Sequence, residues 1–147
     1  MKNYLEKTIL IADDEPTNLD WLIDYIKHIG FDVELALTAS EAINKLQADD
    51  YRAVIVDLNI PKGVGFHPQG NEPTLYNQYP GLHIARFARN IGNNQRRVII
   101  YSVYQTEELA AEIEKFGCEY VSKQRPKLIK GTIKAATEFD PKATGAT

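Results

Sequence analysis

The chain has 147 residues, of which 44% are hydrophobic and 25% charged, a composition typical of one globular domain and not of a disordered segment. Its 17 Lys and Arg against 20 Asp and Glu give a net charge of −3, which argues against a generic nucleic-acid-binding surface but leaves open a local patch at Arg96–Arg97. No apolar run approaches the roughly 20 residues of a membrane span, and the acidic residues after the first apolar stretch argue against a signal peptide.

The first apolar run, Ile9–Ala12, has the β-branched composition of a buried strand and is followed by the acidic pair Asp13-Asp14. A helix is predicted next, because apolar residues recur at helical spacing, and Gly30 stands where that helix would end. The apolar residues of this helix face are Leu19, Leu22, Ile23, Ile26 and Ile29. A second strand is predicted at Val33–Ala36.

The second helix is predicted to open with Thr38, which has Glu41 three residues further on, at the spacing of a capping box. The third strand, Ala53–Val56, is an unbroken apolar run that ends directly before Asp57. A strand this apolar is expected to be buried on both faces, and a buried carboxylate is costly unless a positive group accompanies it. Asp57 is therefore the first candidate for a functional residue.

The stretch Lys62–Pro80, called the 62–80 segment below, contains three of the nine glycines and three of the seven prolines of the chain. It has no sustained period and is predicted to be a long surface loop. Loops of this length inside a compact domain are uncommon and are often lids or binding loops, and a tolerated insertion without a role is the alternative. Tyr76 and Tyr79 are expected to stabilise it, with an aromatic contact surface as the other option.

A fourth strand is predicted at Val98–Ile100 and a weaker fifth one at Tyr120–Val121. Three further helices have their apolar residues at Leu82–Ala88, at Leu109, Ile113 and Phe116, and at Leu128, Ile129 and Ile133. This alternation of strands and helices predicts a single α/β domain over residues 1–147, in which helices cover both faces of a parallel sheet. The core is expected over about residues 7–139, with a short tail at 140–147. The single Cys118 cannot form an internal disulfide, so a cytoplasmic protein is expected.

Polar side chains stand at the predicted strand ends, where open α/β sheets bind their ligands. They are Asp13, Asp14, Asp57, Ser102 and Lys123. Three carboxylates at one edge repel one another by about 1 to 4 kcal/mol per close pair, so they stay ionised together only with a cation. Oxygen ligands favour Mg²⁺, or the similar Mn²⁺, over zinc. A metal-bound aspartate beside a lysine is also suited to accept a phosphoryl group.

Four sequence stretches resemble the receiver domain of response regulators in bacterial two-component and phosphorelay systems. "ILIADDEP" resembles the first strand and acidic pair of that family, "VIVDLNIP" its phosphoacceptor strand and turn, "VIIYS" its strand ending in a hydroxyl residue, and "GCEYVSK" its aromatic and lysine signature. The resemblance runs from about Ile9 to Phe139. It implies a flavodoxin-like (βα)5 doubly wound sheet with strand order 2-1-3-4-5, and an insertion, the 62–80 segment, between strand 3 and helix 3.

The same resemblance implies that Asp57 accepts a phosphoryl group from a histidine kinase or a histidine phosphotransfer protein. Asp13, Asp14, Asp57 and the backbone carbonyl of Asn59 would bind the metal, with Asp14 favoured over Asp13 as the more direct ligand. These roles make the chain a signalling protein and not an enzyme, beyond Mg²⁺-assisted self-phosphorylation and self-dephosphorylation.

Ser102 and Lys123 would contact the phosphoryl oxygens, and Ser102 and Tyr120 would form the switch that responds to them. The signal would leave through the fourth helix, fifth strand and fifth helix of the family fold, Thr106 to Phe139, towards a downstream effector protein. No direct nucleic-acid or membrane partner is expected, and a homodimer is left open.

Two departures from the family pattern lie beside the site: Val103 replaces the usual Ala or Gly, and Gln124 replaces the usual proline. They motivate an alternative, a receiver-like interaction module that works without phosphorylation. A further alternative is an aspartyl-phosphate hydrolase, but such enzymes would need a D-x-D motif after the first strand, which "ADDEP" does not supply.

Overall fold

The computed structural model describes residues 3–66, 72–93 and 97–138. Its strands are β1 (Asn3–Ala12), β2 (Asp32–Ala36), β3 (Asp49–Val56), β4 (Val98–Ser102) and β5 (Glu119–Ser122). Its helices are α1 (Asp20–His28, preceded by a 3-10 turn over Pro16–Leu19), α2 (Ala39–Ala48), α3 (Leu75–Gln78), α4 (Gly81–Asn90), α5 (Glu107–Phe116) and α6 (Pro126–Glu138). All strands pair in parallel, in the order β2-β1-β3-β4-β5. The predicted doubly wound α/β fold and its strand order are confirmed.

Each central strand contributes side chains to two hydrophobic layers, because successive residues of a strand face opposite sides of the sheet. Leu10, Val54 and Ile100 pack with α2, α4 and α5 on one face. Ile9, Ile55 and Ile99 pack with α1 and α6 on the other face. Burial on both faces explains why the sequence of these strands is a continuous apolar run. Within the described residues, no helix has the length and apolarity needed to cross a membrane.

Strands β1 and β3 are longer than predicted at their amino ends. Asn3–Leu5 pairs with Asp49–Tyr51, and after a shift in register Ile9–Ala12 pairs with Ala53–Val56. The first six residues of β1 are exposed or only half buried. They therefore have no apolar pattern, and the strand is held there by backbone pairing that the sequence does not reveal.

Two predicted helix ends have the expected geometry. The Thr38 hydroxyl accepts a hydrogen bond from the Glu41 backbone N–H at 3.1 Å, so the capping prediction for α2 is confirmed. Gly30 follows α1 with a φ of +96°, a left-handed value that glycine adopts without strain.

The 62–80 segment is not a surface loop throughout, and this prediction was wrong for part of it. The short helix α3 buries Leu75 and Tyr76 against the core layer of α4. A helix of four residues is shorter than the window in which helical periodicity can be recognised, so the pattern does not show it. The burial of Tyr76 agrees with its expected stabilising role, and residues 67–71 lie outside the described part of the chain.

Arg97 does not contribute to an exposed basic patch. Its side chain is buried, its Nε donates to the Arg52 carbonyl at 3.0 Å, and its guanidinium also contacts the Tyr51 carbonyl. Arg97 is therefore not part of the basic patch that the sequence left open. Arg96 lies outside the described residues, so its exposure stays a prediction.

Arg52 links distant parts of the chain towards the amino ends of the strands. Its guanidinium donates to the Glu6 carbonyl in β1 at 2.9 Å and to the Thr137 carbonyl near the end of α6 at 2.5 Å. A buried arginine thus holds the first strand and the last helix together through backbone carbonyls. Phe139 and the predicted tail at 140–147 lie outside the described residues.

Candidate functional site

The carboxyl ends of the strands meet at one edge of the sheet. Ala12 pairs in register with Val56, and Ser102 pairs with Ser122. An open cleft lies at this edge, and the residues that line it are Asp13, Asp14, Glu15, Asn18, Leu19, Trp21, Asp57, Asn59, Tyr101, Val103, Tyr104 and Lys123. The structure therefore brings together five of the candidate residues named from the sequence, while Ser102 and Tyr120 are not among the lining residues.

Three aspartates lie side by side in this cleft, and each offers a carboxylate oxygen within 4.8 Å of the other two. Asp13 is 3% exposed and Asp57 9% exposed, whereas Asp14 is open to solvent. The Asp57 backbone N–H donates to the Ala12 carbonyl at 2.9 Å, which fixes the end of β3 against the end of β1. One Asp13 oxygen accepts the Glu15 N–H at 2.8 Å. Backbone pairing and this turn therefore hold the two buried carboxylates close together.

The ammonium group of Lys123 lies inside the cleft. Its Nζ is 2.8 Å from Asp13 Oδ2 and 3.8 Å from Asp57 Oδ2. The sequence predicted Lys123 as the positive charge among the three carboxylates, and in the structure its closest carboxylate partner is Asp13. Asp13 is the more deeply buried carboxylate, so it has the greater need of a paired positive charge. The Lys123 backbone N–H donates to the Ser102 carbonyl at 3.0 Å. The Lys123 ammonium thus reaches the cleft although Gln124, and not a proline, is the next residue.

The Asp57 carboxyl has an unusual affinity for its proton. Burial raises its pKa to about 6; the Lys123 ammonium opposes this shift, and the Asp13 carboxylate reinforces it. Smaller contributions come from the Asn59 backbone N–H, which lowers the pKa, and from Asp14, which raises it. The positive charge in the cleft is thus too small to balance the negative charge, and a bound divalent cation would restore the balance.

The donor set of the cleft fits a hard divalent cation. Among the described lining residues, the candidate side-chain ligands are carboxylates, and neither histidine nor cysteine is present. Mg²⁺ prefers a few carboxylate oxygens and retains several waters, for which an open cleft leaves room. Asp13, Asp14 and Asp57 could therefore hold Mg²⁺. Asn59 lines the same cleft, and its carbonyl as a metal ligand stays a prediction.

Ser102 is bound away from the cleft in this conformation. It is fully buried, and its Oγ accepts the Tyr104 backbone N–H at 3.2 Å. The Tyr120 hydroxyl donates to the Tyr104 carbonyl at 2.5 Å, and burial raises the pKa of this hydroxyl to about 12, with a further contribution from the nearby Tyr79. The two predicted switch residues therefore contact the same neighbour, and their response to a phosphoryl group stays a prediction.

Gly81, the first residue of α4, packs directly on the backbone that carries Asp57. A Cβ at this position would lie 2.3 Å from the Asp57 carbonyl oxygen and 2.7 Å from the Leu58 Cα. The Gly81 N–H donates to the Leu58 carbonyl at 3.0 Å. Glycine is required here because any side chain would displace the turn after β3.

We therefore expect Gly81→Ala to lower the free energy of unfolding by about 1 to 3 kcal/mol, through the overpacking of this contact. Urea denaturation measures the change. Gly131→Ala is the matched control: Gly131 lies on α6 and a Cβ there would meet nothing within 4 Å. That control should be neutral or stabilising, because alanine favours a helix by about 1 kcal/mol over glycine. An equal effect of both substitutions would contradict the proposed contact.

Three large side chains lie at the rim of the cleft beside the acids. Trp21 is 38% exposed, Val103 58% and Tyr104 38%, so large apolar groups surround a group of acids. The sequence alone did not indicate Trp21 as a residue of this cleft. Trp21 is the second residue of α1, the helix that follows the acidic pair, so its closeness to that pair in the chain was the available signal.

Comparison with known proteins shows which family this arrangement resembles. Residues 9–69 match the family model for the response regulator receiver domain. The match includes all three aspartates and ends inside the 62–80 segment. The matched part, which is less than half of the chain, is similar to a response regulator receiver domain. Ser102 and Lys123 lie beyond the matched residues, so the family match does not extend to these two side chains.

Individual proteins show the same similarity. Over 59 residues the chain is 39% identical to the sensor protein EvgS of Escherichia coli (strain K12), an alignment that spans 40% of this chain and only 5% of EvgS. A CheY-like receiver domain protein from Methanospirillum hungatei JF-1 has a TM-score of 0.69 and 21% identity, over 90% of this chain and 94% of that one. The response regulator TrrA from Thermotoga maritima, solved in complex with Mg²⁺-BeF, has a TM-score of 0.65 and 23% identity, over 88% and 98% of the two chains. At these identities the two structures show a shared fold.

Proposed function

We propose that this chain is a receiver domain that acts as a phosphoacceptor in a two-component or phosphorelay pathway, and that Asp57 carries the phosphoryl group. The observation that carries the proposal is the group of three aspartate oxygens within 4.8 Å of one another, with Lys123 in the same cleft. Mg²⁺ would bind to Asp13, Asp14 and Asp57. The phosphodonor would be a histidine kinase or a histidine phosphotransfer protein.

The chemistry would be a transfer from nitrogen to oxygen. An Asp57 carboxylate oxygen attacks the phosphorus of a phosphohistidine, the new O–P bond forms as the P–N bond breaks, and the imidazole leaves with the bonding electrons and takes up a proton. Mg²⁺ would supply positive charge against the transferring group, and Lys123 would add to it. With a pKa of about 6, Asp57 is mostly ionised and ready to attack at neutral pH. We propose no turnover beyond self-phosphorylation and self-dephosphorylation.

We assign the output surface to α5, β5 and α6, the described part of Thr106–Phe139. Phosphorylation adds about −1.5 to −2 units of charge next to this layer, enough to bias a two-state surface. Tyr120 in β5 contacts the loop before α5, and Leu128 in α6 is 47% exposed and open to a partner. The proposed partner is a cytoplasmic effector protein, and a homodimer through this surface is the alternative.

Incubation with Mg²⁺ and acetyl phosphate, followed by intact-mass measurement, tests the proposal. We expect the wild-type protein to gain the mass of one phosphoryl group, and Asp57→Asn to gain none. Asp32→Asn, a change of an exposed aspartate at the start of β2, is the matched control and should be phosphorylated like the wild type. A wild-type protein without any mass shift, or a shift that persists in Asp57→Asn, would overturn the assignment.

A second candidate function is a receiver-like interaction module that needs no phosphorylation. It is favoured by one observation: Ser102 Oγ is bound to the Tyr104 N–H, and Val103 and Tyr104 occupy the rim of the cleft. Such a module would bind its effector equally well before and after treatment with the phosphodonor. A pull-down with wild type and Asp57→Asn, each with and without acetyl phosphate, distinguishes the two functions.

A further inference from the structure

Tyr79, near the end of the 62–80 segment, connects that segment to the loop between β4 and α5, residues 103–106. The Tyr79 and Tyr104 rings contact each other with their centroids 5.3 Å apart and their planes at 56°. Tyr104 is only two residues beyond Ser102 in the chain. The 62–80 segment thus touches the loop that follows one of the proposed switch residues.

Tyr104 is held at three points in this conformation. Its ring contacts Tyr79, its N–H donates to Ser102 Oγ at 3.2 Å, and its carbonyl accepts the Tyr120 hydroxyl at 2.5 Å. Both proposed switch residues therefore use Tyr104 as their partner. Any movement in which Ser102 Oγ turns towards the cleft has to give up or share the Tyr104 N–H.

The described residues of the 62–80 segment that precede Tyr79 are in contact with two neighbouring helices. The Tyr76 hydroxyl donates to Glu112 Oε2 on α5 at 2.8 Å, and the Tyr76 ring lies under the Arg86 guanidinium of α4 at 4.6 Å. Arg86 also pairs with Glu72 at 3.3 Å, at the start of the described second half of the segment. Because α3 contacts both α4 and α5, these contacts position Tyr79, the residue that directly follows α3, beside the loop.

We propose that the 62–80 segment restrains the switch: Tyr79 holds the 103–106 loop in the conformation it has without a phosphoryl group. This restraint would regulate the phosphoryl site described above. It therefore rests on the proposed phosphoacceptor function. Contacts made only in the conformation without a phosphoryl group stabilise that conformation. They therefore lower the apparent affinity for any ligand that binds the phosphoryl-bound conformation. Loss of the Tyr79 ring should therefore favour the phosphoryl-bound conformation.

Titration with beryllofluoride, a phosphoryl mimic, at saturating Mg²⁺ tests this restraint. The fluorescence of Trp21 serves as the readout, since this single tryptophan lines the cleft. We expect Tyr79→Ala to bind beryllofluoride about 2- to 10-fold more tightly than the wild type, the change that corresponds to the loss of one aromatic pair. Tyr79→Leu retains apolar bulk without the ring, and should shift the affinity in the same direction if Tyr79→Ala folds poorly.

Tyr4→Ala is the matched control, because Tyr4 pairs with Asp50 at the opposite end of the strands. Its affinity for beryllofluoride should equal that of the wild type. Unchanged or weaker binding by both Tyr79 variants would overturn the restraint while leaving the phosphoacceptor function intact. Failure of the wild-type protein to bind beryllofluoride would instead overturn the phosphoacceptor function on which the restraint rests.

Discussion

Without a metal, Asp57→Asn is expected to be more stable than the wild-type protein at neutral pH, by up to about 3 kcal/mol. Burial raises the pKa of Asp57 from 3.8 to about 6 in the folded protein, a difference of about two units. Each unit corresponds to about 1.4 kcal/mol of free energy. Asparagine has nearly the same shape but never carries the charge, so it avoids the penalty of an ionised carboxylate among other acids.

The pH dependence of this difference has a defined sign. Below about pH 4, Asp57 is protonated in both the folded and the unfolded wild type, and the charge penalty is absent. Between about pH 4 and pH 6 the unfolded chain releases the proton first, which favours unfolding of the wild type. The advantage of Asp57→Asn should therefore grow over this interval and remain constant above about pH 6. Urea denaturation of both proteins across this range measures it.

Added Mg²⁺ should reverse the order of stability. A ligand that binds only the folded state stabilises it by an amount that rises with the logarithm of its concentration over its Kd. The wild type offers the metal three carboxylates where the variant offers two. Asp32→Asn, which alters an exposed carboxylate, should show neither the pH-dependent gain nor the reversal. If Asp57→Asn were no more stable than the wild type in a chelator at pH 7, the buried charge would not be a source of instability.

Replacement of Lys123 by methionine should slow phosphoryl transfer from acetyl phosphate by about 10²- to 10³-fold, the usual cost of removing one positioned group that stabilises the transferring charge. The ammonium lies 3.8 Å from Asp57 Oδ2, within reach of a phosphoryl group on that oxygen. The initial rate of phosphoprotein formation, followed by intact mass at saturating Mg²⁺, measures the effect. Circular dichroism verifies that the variant is folded.

The same substitution should strengthen Mg²⁺ binding, by several-fold. In the wild type the ammonium is 2.8 Å from Asp13 Oδ2, so it competes with a metal for that oxygen and repels it. Lys115→Met is the control: Lys115 pairs with Glu112 on the exposed side of α5, and neither rate nor metal affinity should change. If Lys123→Met were phosphorylated at the wild-type rate, the Lys123 ammonium would act only as the partner of Asp13.

The sequence predicted much of this fold because the apolar signal is strong where strands are buried on both faces. Ala53–Val56 and Val98–Ile100 are continuous apolar runs, and the Thr38 cap is a local interaction between near neighbours. The strand ends then determine which polar residues share an edge. For this reason the sequence alone predicts that Asp13 and Asp57 share one site.

Other features depend on contacts between residues far apart in the chain, which no local pattern encodes. The closer pairing of Lys123 with Asp13 follows from which carboxylate is more deeply buried. The Ser102–Tyr104–Tyr120 arrangement depends on how the loop after β4 packs. The burial of Tyr76 depends on Glu112, which is 36 residues away. Such features arise from tertiary packing and are visible only in three dimensions.

Arg52 has a practical consequence for experiments on this protein. By binding the carbonyls of Glu6 and Thr137, it gathers the two ends of the described chain at the side of the sheet opposite the cleft. A fluorophore pair attached near residues 3 and 138 would therefore report whether the first strand and last helix separate, without obstructing the entry of a phosphodonor.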